Sequence, residues 1–480
     1  MGNESAQEIK KAPPRAPKRK PTMGEAMIPI GSMAILLGVG YGWFQLSVEI
    51  LLIIASFIAG LMALRLGYNW KDIESGIIES IAKAMPAQMM IIIVGVMIAS
   101  WIACGSIPML IDYGLSIVSP SLFLVTACLV CAIISLLTGT AYGTAGTVGI
   151  AFIGIAQGMG IPLAPAAGAI VAGSYLGDKI SPFAASVNLA SAAVRCNVID
   201  TIQHLLWTTL PAFGIGLVVY WIAGSQFAVH NVNSDKIVII QQTLRTSFSY
   251  HWLLLLPPAI VLALTFMRKP AIPGMLISAT VAILLAAWLQ GKPVINGMEY
   301  CVSGYKASTG LKEVDQLLSR GGLQEMMKIS LIAFCAFAFA GIIQKAGILD
   351  LLLEKILKVA RTTSLLISSG VVAALSTALV TGSAYLSVLI PGELFAPAFT
   401  ARKLAAKNLA RATQEAHSIV PIVPWAIAGV YMTGTLGVST WEYAPWAVFN
   451  YIGFLFPMLY GAIGFTTAPQ KNEDESLPGS

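Results

Sequence analysis

The chain has 480 residues, of which 56% are hydrophobic and 11% are charged. Soluble domains carry roughly 25% charged residues, so the composition excludes an ordinary soluble protein and predicts an all-α, polytopic membrane protein whose main partner is the lipid bilayer. The net charge of +6 comes from basic residues in short loops and a tail, which is not the pattern of a nucleic-acid-binding surface.

Apolar runs recur along the chain, with lengths approaching the ~20 residues that an α-helix needs to cross a bilayer. Counted with their flanks, they predict about ten to twelve transmembrane helices. They lack the alternation of apolar and polar residues that is typical of outer-membrane barrel strands. The clearest runs cover residues 51–66, 89–104, 122–137, 253–266 and 331–343.

Residues 1–25 precede the first apolar run and combine prolines with basic residues. Basic segments beside a first span stay in the cytoplasm, so we expect a disordered cytoplasmic tail and a chain in the inner membrane of a bacterium or archaeon. The run after the tail leads into further spans, unlike a cleavable signal peptide. The tail's basic residues are Lys10, Lys11, Arg15, Lys18, Arg19 and Lys20.

A first repeat is predicted over residues 26–224. It opens with spans near Ile28–Trp43 and Leu46–Leu66 that form a hairpin. The segment from Arg65 to Lys83 places isoleucines three and four positions apart beside charges, which predicts an amphipathic helix lying at the membrane interface. A separate span over residues 89–104 is expected to follow.

Residues 225–328 are predicted to be a linker that contains two spans, near Trp252–Met267 and Ile272–Trp288, and polar extramembrane segments. A second repeat then covers residues 329–466, and residues 467–480, which include an acidic cluster, are predicted to be disordered. In the second repeat, four basic residues mark a further cytoplasmic loop: Arg402, Lys403, Lys407 and Arg411.

Two copies of one short phrase interrupt these membrane-length runs. One lies at Thr138–Tyr142 and the other at Thr381–Tyr385, and each inserts glycine and hydroxyl residues. A break of this kind is tolerated in lipid only where it lines a polar cavity. Paired broken segments in two halves of a hydrophobic chain indicate a transporter's midplane site. We therefore predict two inverted repeats whose broken helices or re-entrant segments meet at the midplane.

A second correspondence follows each break. Asp178 and Ser181 are spaced as acid-x-x-Ser, and so are Glu415 and Ser418. Sodium that has shed its water prefers several hard oxygens as ligands. The oxygen-bearing candidates for ion or substrate binding are Asp178, Ser181, Asn188, Thr138, Thr140, Ser383, Glu415 and Ser418, with Na⁺ assigned to Asp178, Ser181 and Asn188.

Proton coupling requires an acid that holds its proton until the cation arrives, as a carboxylic acid removed from water does. Asp178 is the first candidate and Glu415 the second. Lys179 is either a fixed countercharge or a lysine reaching the surface, and His417 either shares the proton or is structural. Arg195 suits an organic carboxylate or merely follows the charge rule. The hydroxyls at the breaks have the alternative of bonding within their own helices.

Several motifs between Ala26 and Thr466 resemble the NhaC-type sodium/proton antiporters of the ion-transporter superfamily. They follow one another in the order of that family. They are Gly177-Asp178-Lys179 with Ser181-Pro182, Asn188-Leu189-Ala190, His204-Leu205-Leu206-Trp207-Thr208-Thr209, Leu318-Ser319-Arg320-Gly321-Gly322-Leu323, Pro424-Trp425 and Tyr431-Met432-Thr433-Gly434-Thr435-Leu436-Gly437-Val438.

The resemblance implies an alternating-access antiporter that exchanges Na⁺ for H⁺. The chain departs from the family pattern where members commonly read Ser-Pro-x-Ser-Asp-Thr-Thr-Asn and Pro-Trp-Asn. The positions of a carboxylate, a hydroxyl and an amide are here Ala185, Val187 and Ala426. The family also includes antiporters that exchange malate for lactate, so the alternative is a Na⁺- and H⁺-coupled exchanger of organic acids or amino acids.

Other classes of function are disfavoured. A channel would not need a carboxylate on each of two broken segments, and no phosphate loop, nucleophile elbow or His-rich metal spacing indicates an enzyme. Cys128 and Cys131 form a CxxC without further ligands, which favours packing over metal binding. No cofactor is expected besides the transported Na⁺ and H⁺, and a homodimer is one possible assembly.

Overall fold

The computed structural model describes residues 18–231 and 234–470. The tail residues 1–17, with Lys10, Lys11 and Arg15, and the acidic residues 473–475 lie outside the described residues. In the described part, nine helices are long and apolar enough to cross a membrane, or up to twelve if each of three bent pairs counts as one span. This confirms the predicted all-α, polytopic architecture.

Ten α-helices lie between residue 18 and the undescribed residues 232–233. Several end at a glycine in the left-handed conformation, as Gly105 does after the third helix with φ +96°, because glycine adopts this conformation without a Cβ clash. The helices are α1 Met23–Ile35, α2 Val48–Arg65, α3 Trp70–Cys104, α4 Ser106–Ile117, α5 Phe123–Thr138, α6 Ala141–Thr144, α7 Ile150–Met159, α8 Leu163–Ile180, α9 Ala185–Ala193 and α10 Val198–Asn231.

Five α-helices follow in the predicted linker, where the second expected span is α13. The first corresponds to the helical segment Trp252–Phe266, in which a 3₁₀ turn leads into α12, and this segment makes an angle of 106° with α11. These helices are α11 Ser234–Ser247, α12 Leu256–Phe266, α13 Ala271–Leu289, α14 Val294–Ser303 and α15 Lys312–Leu318.

Nine helices form the remainder. The helices are α16 Leu323–Lys345, α17 Ile348–Val359, α18 Thr363–Thr381, α19 Ala384–Ala401, α20 Ala406–Ile419, α21 Ile427–Leu436, α22 Thr440–Tyr443, α23 Val448–Ile452 and α24 Leu455–Ile463.

The described structure extends into both predicted tails. Helix α1 begins at Met23 rather than after residue 25, because the side chains of Thr22 and Glu25 form a reciprocal capping box that satisfies the first free N–H groups. At the other end, Ala468 accepts a hydrogen bond from the backbone N–H of Ala405, at 3.0 Å. Residues 467–470 are therefore held against the start of α20.

The expected interfacial helix at residues 65–83 is not a separate element. It is the first half of α3, which runs for 35 residues through Pro86. A capping box between Asn69 and Asp72 begins this helix, and Gly76 then packs against Gly341 of α16. The helix continues from its polar first half into its apolar second half without a break. The prediction of an interfacial helix and a separate span was therefore wrong.

Asp112 is completely buried in α4. Its carboxylate accepts hydrogen bonds from Nε and Nη2 of Arg245, at 2.8 and 3.2 Å. Gln241 donates a third, at 2.9 Å. This bidentate pairing attaches α4 to α11, so Asp112 has a structural partner well away from the acid-x-x-Ser residues.

The two short phrases adopt the same local structure. In each, a helix ends at threonine, a left-handed glycine follows (Gly139, φ +71°; Gly382, φ +62°), and a hydroxyl residue caps the next helix. Thr140 accepts a hydrogen bond from the N–H of Gly143, and Ser383 accepts one from Leu386, both at 3.3 Å. The sequence repeat is therefore also a structural repeat.

Each break lies against a second discontinuity. A Cβ on Gly139 would come within 2.9 Å of Ala184, between α8 and α9, and one on Gly382 would come within 3.2 Å of Ala426, between α20 and α21. In the second pair, the two helices make an angle of 42°. Each repeat thus contributes one broken helix (α8/α9 or α20/α21) whose break is covered by a glycine turn.

The two broken helices run in opposite directions. The C-terminal ends of α8 and α20 meet, and beyond the breaks α9 lies beside α20, where Gln414 donates to Ser186. At the other end, Gly149 lies between Ile170 of α8 and Leu436 of α21. This is the antiparallel arrangement expected of inverted repeats.

Close glycine contacts hold α8 to α5. A Cβ on Gly177 would overlap the backbone of Ser135 and Leu136, and one on Gly173 would overlap the carbonyl of Cys128. Small residues permit this close approach of helices in membranes. The contact fixes the height of α8 and hence the position of its last turn.

Replacing Gly177 by alanine should therefore destabilise the protein. Overpacking a close contact typically costs about 1–3 kcal/mol, and the backbone of α5 cannot rotate away as a side chain would. Thermal unfolding of the detergent-solubilised protein measures the loss.

Gly214→Ala in α10 is the matched control. A Cβ there meets nothing within 4 Å, and alanine favours the helix, so its unfolding temperature should not fall. Equal unfolding temperatures for the two variants would contradict the proposed α5–α8 constraint.

Candidate functional site

The site forms where the last turns of α8 and α20 meet. Asp178 and Lys179 lie in the last turn of α8, and Glu415 and His417 lie near the end of α20. Helix α8 ends where the chain becomes extended at Ser181. Helix α20 ends at a 3₁₀ turn, Val420–Ile422. The breaks therefore bring ionisable side chains from opposite repeats together.

Lys179 and Glu415 form an ion pair between the repeats. Lys179 Nζ donates to Glu415 Oε2 at 2.6 Å, and both side chains are 0% exposed. Thr208 of α10 donates to the other carboxylate oxygen, Oε1, at 2.8 Å. A buried ammonium and carboxylate are stable only when paired and hydrogen-bonded in this way. Lys179 thus does not reach the surface but is bonded within the protein.

Asp178 and His417 form the second contact between the repeats. His417 Nε2 lies 2.5 Å from Asp178 Oδ2. The Asp178 side chain is 14% exposed and the His417 side chain 9%, in contrast to the fully buried Lys179 and Glu415. The ring of Tyr175 lies beside the imidazole, with centroids 5.7 Å apart. Asp178 is therefore the carboxylate of this group that an entering ion can reach first.

A short polar network supports the Asp178 end of the site. Ser186 Oγ donates to the backbone carbonyl of Asp178 at 2.6 Å, and Gln414 Nε2 donates to Ser186 Oγ at 3.1 Å. The network links α8, α9 and α20. It fixes the orientation of the broken backbone around Asp178.

Several buried oxygens near the two helix ends have no hydrogen-bond partner. Asn450 donates to the carbonyl of Ser418 at 2.8 Å, while its own Oδ1 remains free. Buried polar atoms are normally satisfied, so unsatisfied oxygens beside a carboxylate are candidate ligands for a hard cation. They are Ser174 Oγ, Gln414 Oε1, Ser418 Oγ and Asn450 Oδ1.

The hydroxyls of the glycine turns do not join the ion pairs. Thr138 donates to Ser135 O at 3.5 Å, and the Thr140 and Ser383 oxygens accept from their own helices. This is the local bonding that such residues commonly adopt. The described contacts of these three residues thus support the breaks rather than supply ligands.

Other predicted residues are dispersed. Ser181 is buried, and its Oγ accepts from Phe183 N at 3.3 Å. Asn188 is exposed and donates to backbone carbonyls of Pro182 and Ala184. Arg195 is exposed at the end of α9. The described contacts therefore group Asp178, rather than Ser181 or Asn188, with the buried polar cluster.

The three departures from the family pattern lie at the two discontinuities. Ala185 is exposed at the first position of α9, Val187 is buried, and Ala426 is buried against Gly382. These positions supply no polar atoms beyond the backbone. The available oxygens come instead from α8, α20 and α23.

Sequence reasoning missed Thr208, Gln414, Asn450 and Arg411 as parts of this region. Thr208 lies in one of the family motifs and Gln414 adjoins Glu415, so the sequence could have indicated both as site residues. Nothing in the sequence indicated Asn450, because α23 follows a turn whose course the sequence does not reveal.

The Lys179–Glu415 pair is fully buried in this conformation, whereas Asp178 and His417 are slightly exposed. A cavity of about 640 Å³ lies elsewhere, between the segment Lys18–Pro21 and α17, and shares no lining residue with either contact. Glu393 of α19 lines that cavity. Access to the Lys179–Glu415 pair therefore requires the surrounding helices to move.

A family model matches the chain over two overlapping segments. The model describes the Na⁺/H⁺ antiporter family, and it matches residues 22–204 and 173–465. Both matches include the last turn of α8.

Three similar proteins span nearly the whole chain. An uncharacterised Na⁺/H⁺ antiporter of Haemophilus influenzae is 42% identical and covers 94% of this chain and 98% of its own length. The NhaC Na⁺/H⁺ antiporter of Alkalihalophilus pseudofirmus is 32% identical, with 95% and 98% covered. A malate-2H⁺/Na⁺-lactate antiporter of Bacillus subtilis is 31% identical, with 93% and 96% covered.

The Lys179–Glu415 pair makes a stability prediction. Glu415→Gln should leave the Lys179 charge buried without a counter-ion, which costs about 3–5 kcal/mol. The double variant Lys179→Met/Glu415→Met removes both charges, so its unfolding temperature should recover most of the loss. Thermal unfolding in detergent tests both.

Glu79→Gln provides the control, because Glu79 and Lys83 form an exposed pair at 2.8 Å and exposed pairs contribute little. If Glu415→Gln unfolds at the same temperature as Glu79→Gln, the buried pair does not have the assigned role.

Proposed function

The chain belongs to the Na⁺/H⁺ antiporter family, and from this we propose that it exchanges Na⁺ for H⁺ across the cytoplasmic membrane as a secondary antiporter. One observation carries the proposal. Asp178, the more exposed of the two carboxylates, contacts the imidazole of His417 of the opposite repeat.

The proposed exchange takes place at the Asp178–His417 contact. A proton held between the two side chains keeps α8 and α20 together. Na⁺ binds the Asp178 carboxylate and the neighbouring buried oxygens, and the proton leaves from His417 to water. One positive charge enters as another leaves, so the charge of the site does not change. Coupled exchange requires a site that binds either Na⁺ or H⁺ but not both at once.

Lys179 and Glu415 have a different part in this proposal. Their pair is neutral, fully enclosed and joined to Thr208, so it does not need to titrate. It ties the two helix ends together while the ion at Asp178 changes. The antiparallel repeats then expose the site to one side or the other as one bundle rocks against its neighbour.

The orientation follows from the charge rule. The end of the molecule that carries Arg402, Lys403 and Lys407 is proposed to face the cytoplasm, and Lys18 and Arg19 put the N-terminal segment on the same side. Helix α20 would then rise from the cytoplasm to the site.

A second candidate function is exchange that includes an organic acid or amino acid. It is favoured by the apolar residues Ala185, Val187 and Ala426 at positions where members of this family commonly carry polar groups. The relative from Bacillus subtilis, which is named for malate and lactate, supports the same alternative.

Asp178→Asn tests the main proposal. The variant should fold but lose Na⁺-dependent proton movement by at least about tenfold, because one contact to a charged group contributes roughly 1.5–3 kcal/mol. The measurement is the collapse of a pH gradient in proteoliposomes when Na⁺ is added, with Li⁺ and K⁺ compared alongside.

Asp200→Asn is the control, since Asp200 is an exposed carboxylate in the first turn of α10. It should exchange at the rate of the unaltered protein. Undiminished exchange in Asp178→Asn would remove this residue from the mechanism.

A further inference from the structure

Arg411 is a buried cation that the exchange proposed above does not use. It was expected in a cytoplasmic loop, but it lies inside α20 and is 0% exposed. Its neighbours in that basic cluster, Arg402, Lys403 and Lys407, are all at least partly exposed. An arginine remains charged when buried, so its surroundings must compensate the charge.

The guanidinium of Arg411 is only partly compensated. Nη1 donates to Thr466 Oγ1 at 2.8 Å, but the buried Nε and Nη2 atoms have no acceptor. These two nitrogens lie on one edge of the guanidinium plane. Their N–H groups point the same way and match the two oxygens of a carboxylate.

The carboxylate of Glu415, which lies close to Arg411, is already engaged. Glu415 lies one helical turn further along the same face, close enough to attract the guanidinium. However, its two oxygens accept hydrogen bonds from Lys179 and Thr208, and no hydrogen bond joins it to Arg411.

The other polar neighbours do not satisfy the free edge either. Asn408 Oδ1 contacts His204 Nε2 at 3.2 Å and accepts from the backbone N–H of Ala468 at 3.0 Å. Leaving charged donors buried without an acceptor costs more than about 1–3 kcal/mol. The arrangement is therefore complete only when another acceptor binds.

We propose that Nε and Nη2 of Arg411 bind the carboxylate of a small organic acid or amino acid, on the side of the ion pairs where α20 begins. The inference rests on the second form of the proposed function, in which an organic substrate accompanies Na⁺ and H⁺. It assigns to Arg411 the part that was one of the two alternatives for Arg195, which is exposed.

The position of Arg411 suits a substrate passing toward the ion site. It lies one turn before Glu415 on the helix that also carries His417. Thr466 Oγ1 and the carbonyl of Ala468 accept hydrogen bonds from Arg411 and Asn408, so the C-terminal segment lies against this part of α20. A carboxylate bound there lies between the basic end of the molecule and the Lys179–Glu415 pair.

Ligand binding to the purified full-length protein tests the proposal. The unfolding temperature is measured during titration with choline salts of L-malate and L-lactate and with L-arginine. Choline chloride and choline sulfate are titrated separately. Counterflow of the same labelled organic compounds is then measured in proteoliposomes. The variants are Arg411→Gln and Arg411→Lys, with Lys407→Gln as the control that removes a charge one turn earlier.

At least one organic compound should raise the unfolding temperature of the unaltered protein and of Lys407→Gln. Arg411→Gln should bind it at least tenfold more weakly. Arg411→Lys should bind with intermediate affinity, because an ammonium keeps the charge but lacks the two parallel N–H groups. If Arg411→Gln does not fold, the loss in Arg411→Lys relative to Lys407→Gln decides the question.

Three results would overturn the proposal: no organic carboxylate binds, binding is equal in the Arg411 variants and the control, or only chloride and sulfate stabilise the protein. Na⁺-driven proton movement in the unaltered protein is measured separately. Exchange without carboxylate binding would overturn the Arg411 site alone, whereas carboxylate binding without exchange would overturn Na⁺/H⁺ antiport alone.

Discussion

The structure depends on two contacts that cross between the repeats, Lys179 with Glu415 and Asp178 with His417. Moving an ammonium or a carboxylate out of water costs several kcal/mol for each ion, and close pairing with further hydrogen bonds compensates this. Lys179 and Glu415 meet these conditions only if the ends of α8 and α20 stay within a few ångströms of each other. The charged residues therefore fix how the two halves of the molecule meet.

The glycine turns make this meeting possible. If α8 and α20 continued without a break, the residues around Asp178 and Glu415 would lie within regular helices that pass each other. Every backbone carbonyl there would then be hydrogen-bonded within its own helix. At Gly139 and Gly382, positive φ values end α5 and α18, and the absence of a Cβ allows the loops at Ala184 and Ala426 to approach. Within a bilayer, such irregular backbone is tolerated when protein buries it. The breaks thus position the site, although the side chains of the turns are bonded locally.

Much of this could be predicted from the sequence because the signals are local. Apolar runs give the spans, Thr-Gly-Thr and Thr-Gly-Ser give the breaks, and acid-x-x-Ser identifies Asp178 and Glu415. The pairing could not be predicted in the same way. The sequence leaves Lys179 as either a countercharge or a lysine reaching the surface, and its spacing does not show which acid it meets. Successive residues on a helix point in different directions, so Lys179 meets Glu415 of the other repeat rather than its neighbour Asp178. Arg411 was misplaced for a similar reason, since a basic cluster shows which side of the membrane it favours but not which member the fold buries.

The charges around the site also determine what can enter it. Asp178 and Glu415 are balanced by Lys179 and Arg411, so any further charge comes from the proton at His417. A Na⁺ ion that replaces this proton leaves the balance unchanged, so the group carries one net positive charge with either ion, and a carboxylate bound at Arg411 would cancel it. Because an uncompensated buried charge is costly, the carboxylate would bind together with the Na⁺ or H⁺ that occupies the site. Coupling between organic acid and cation would then follow from electroneutrality at one enclosed cluster, without a separate coupling device.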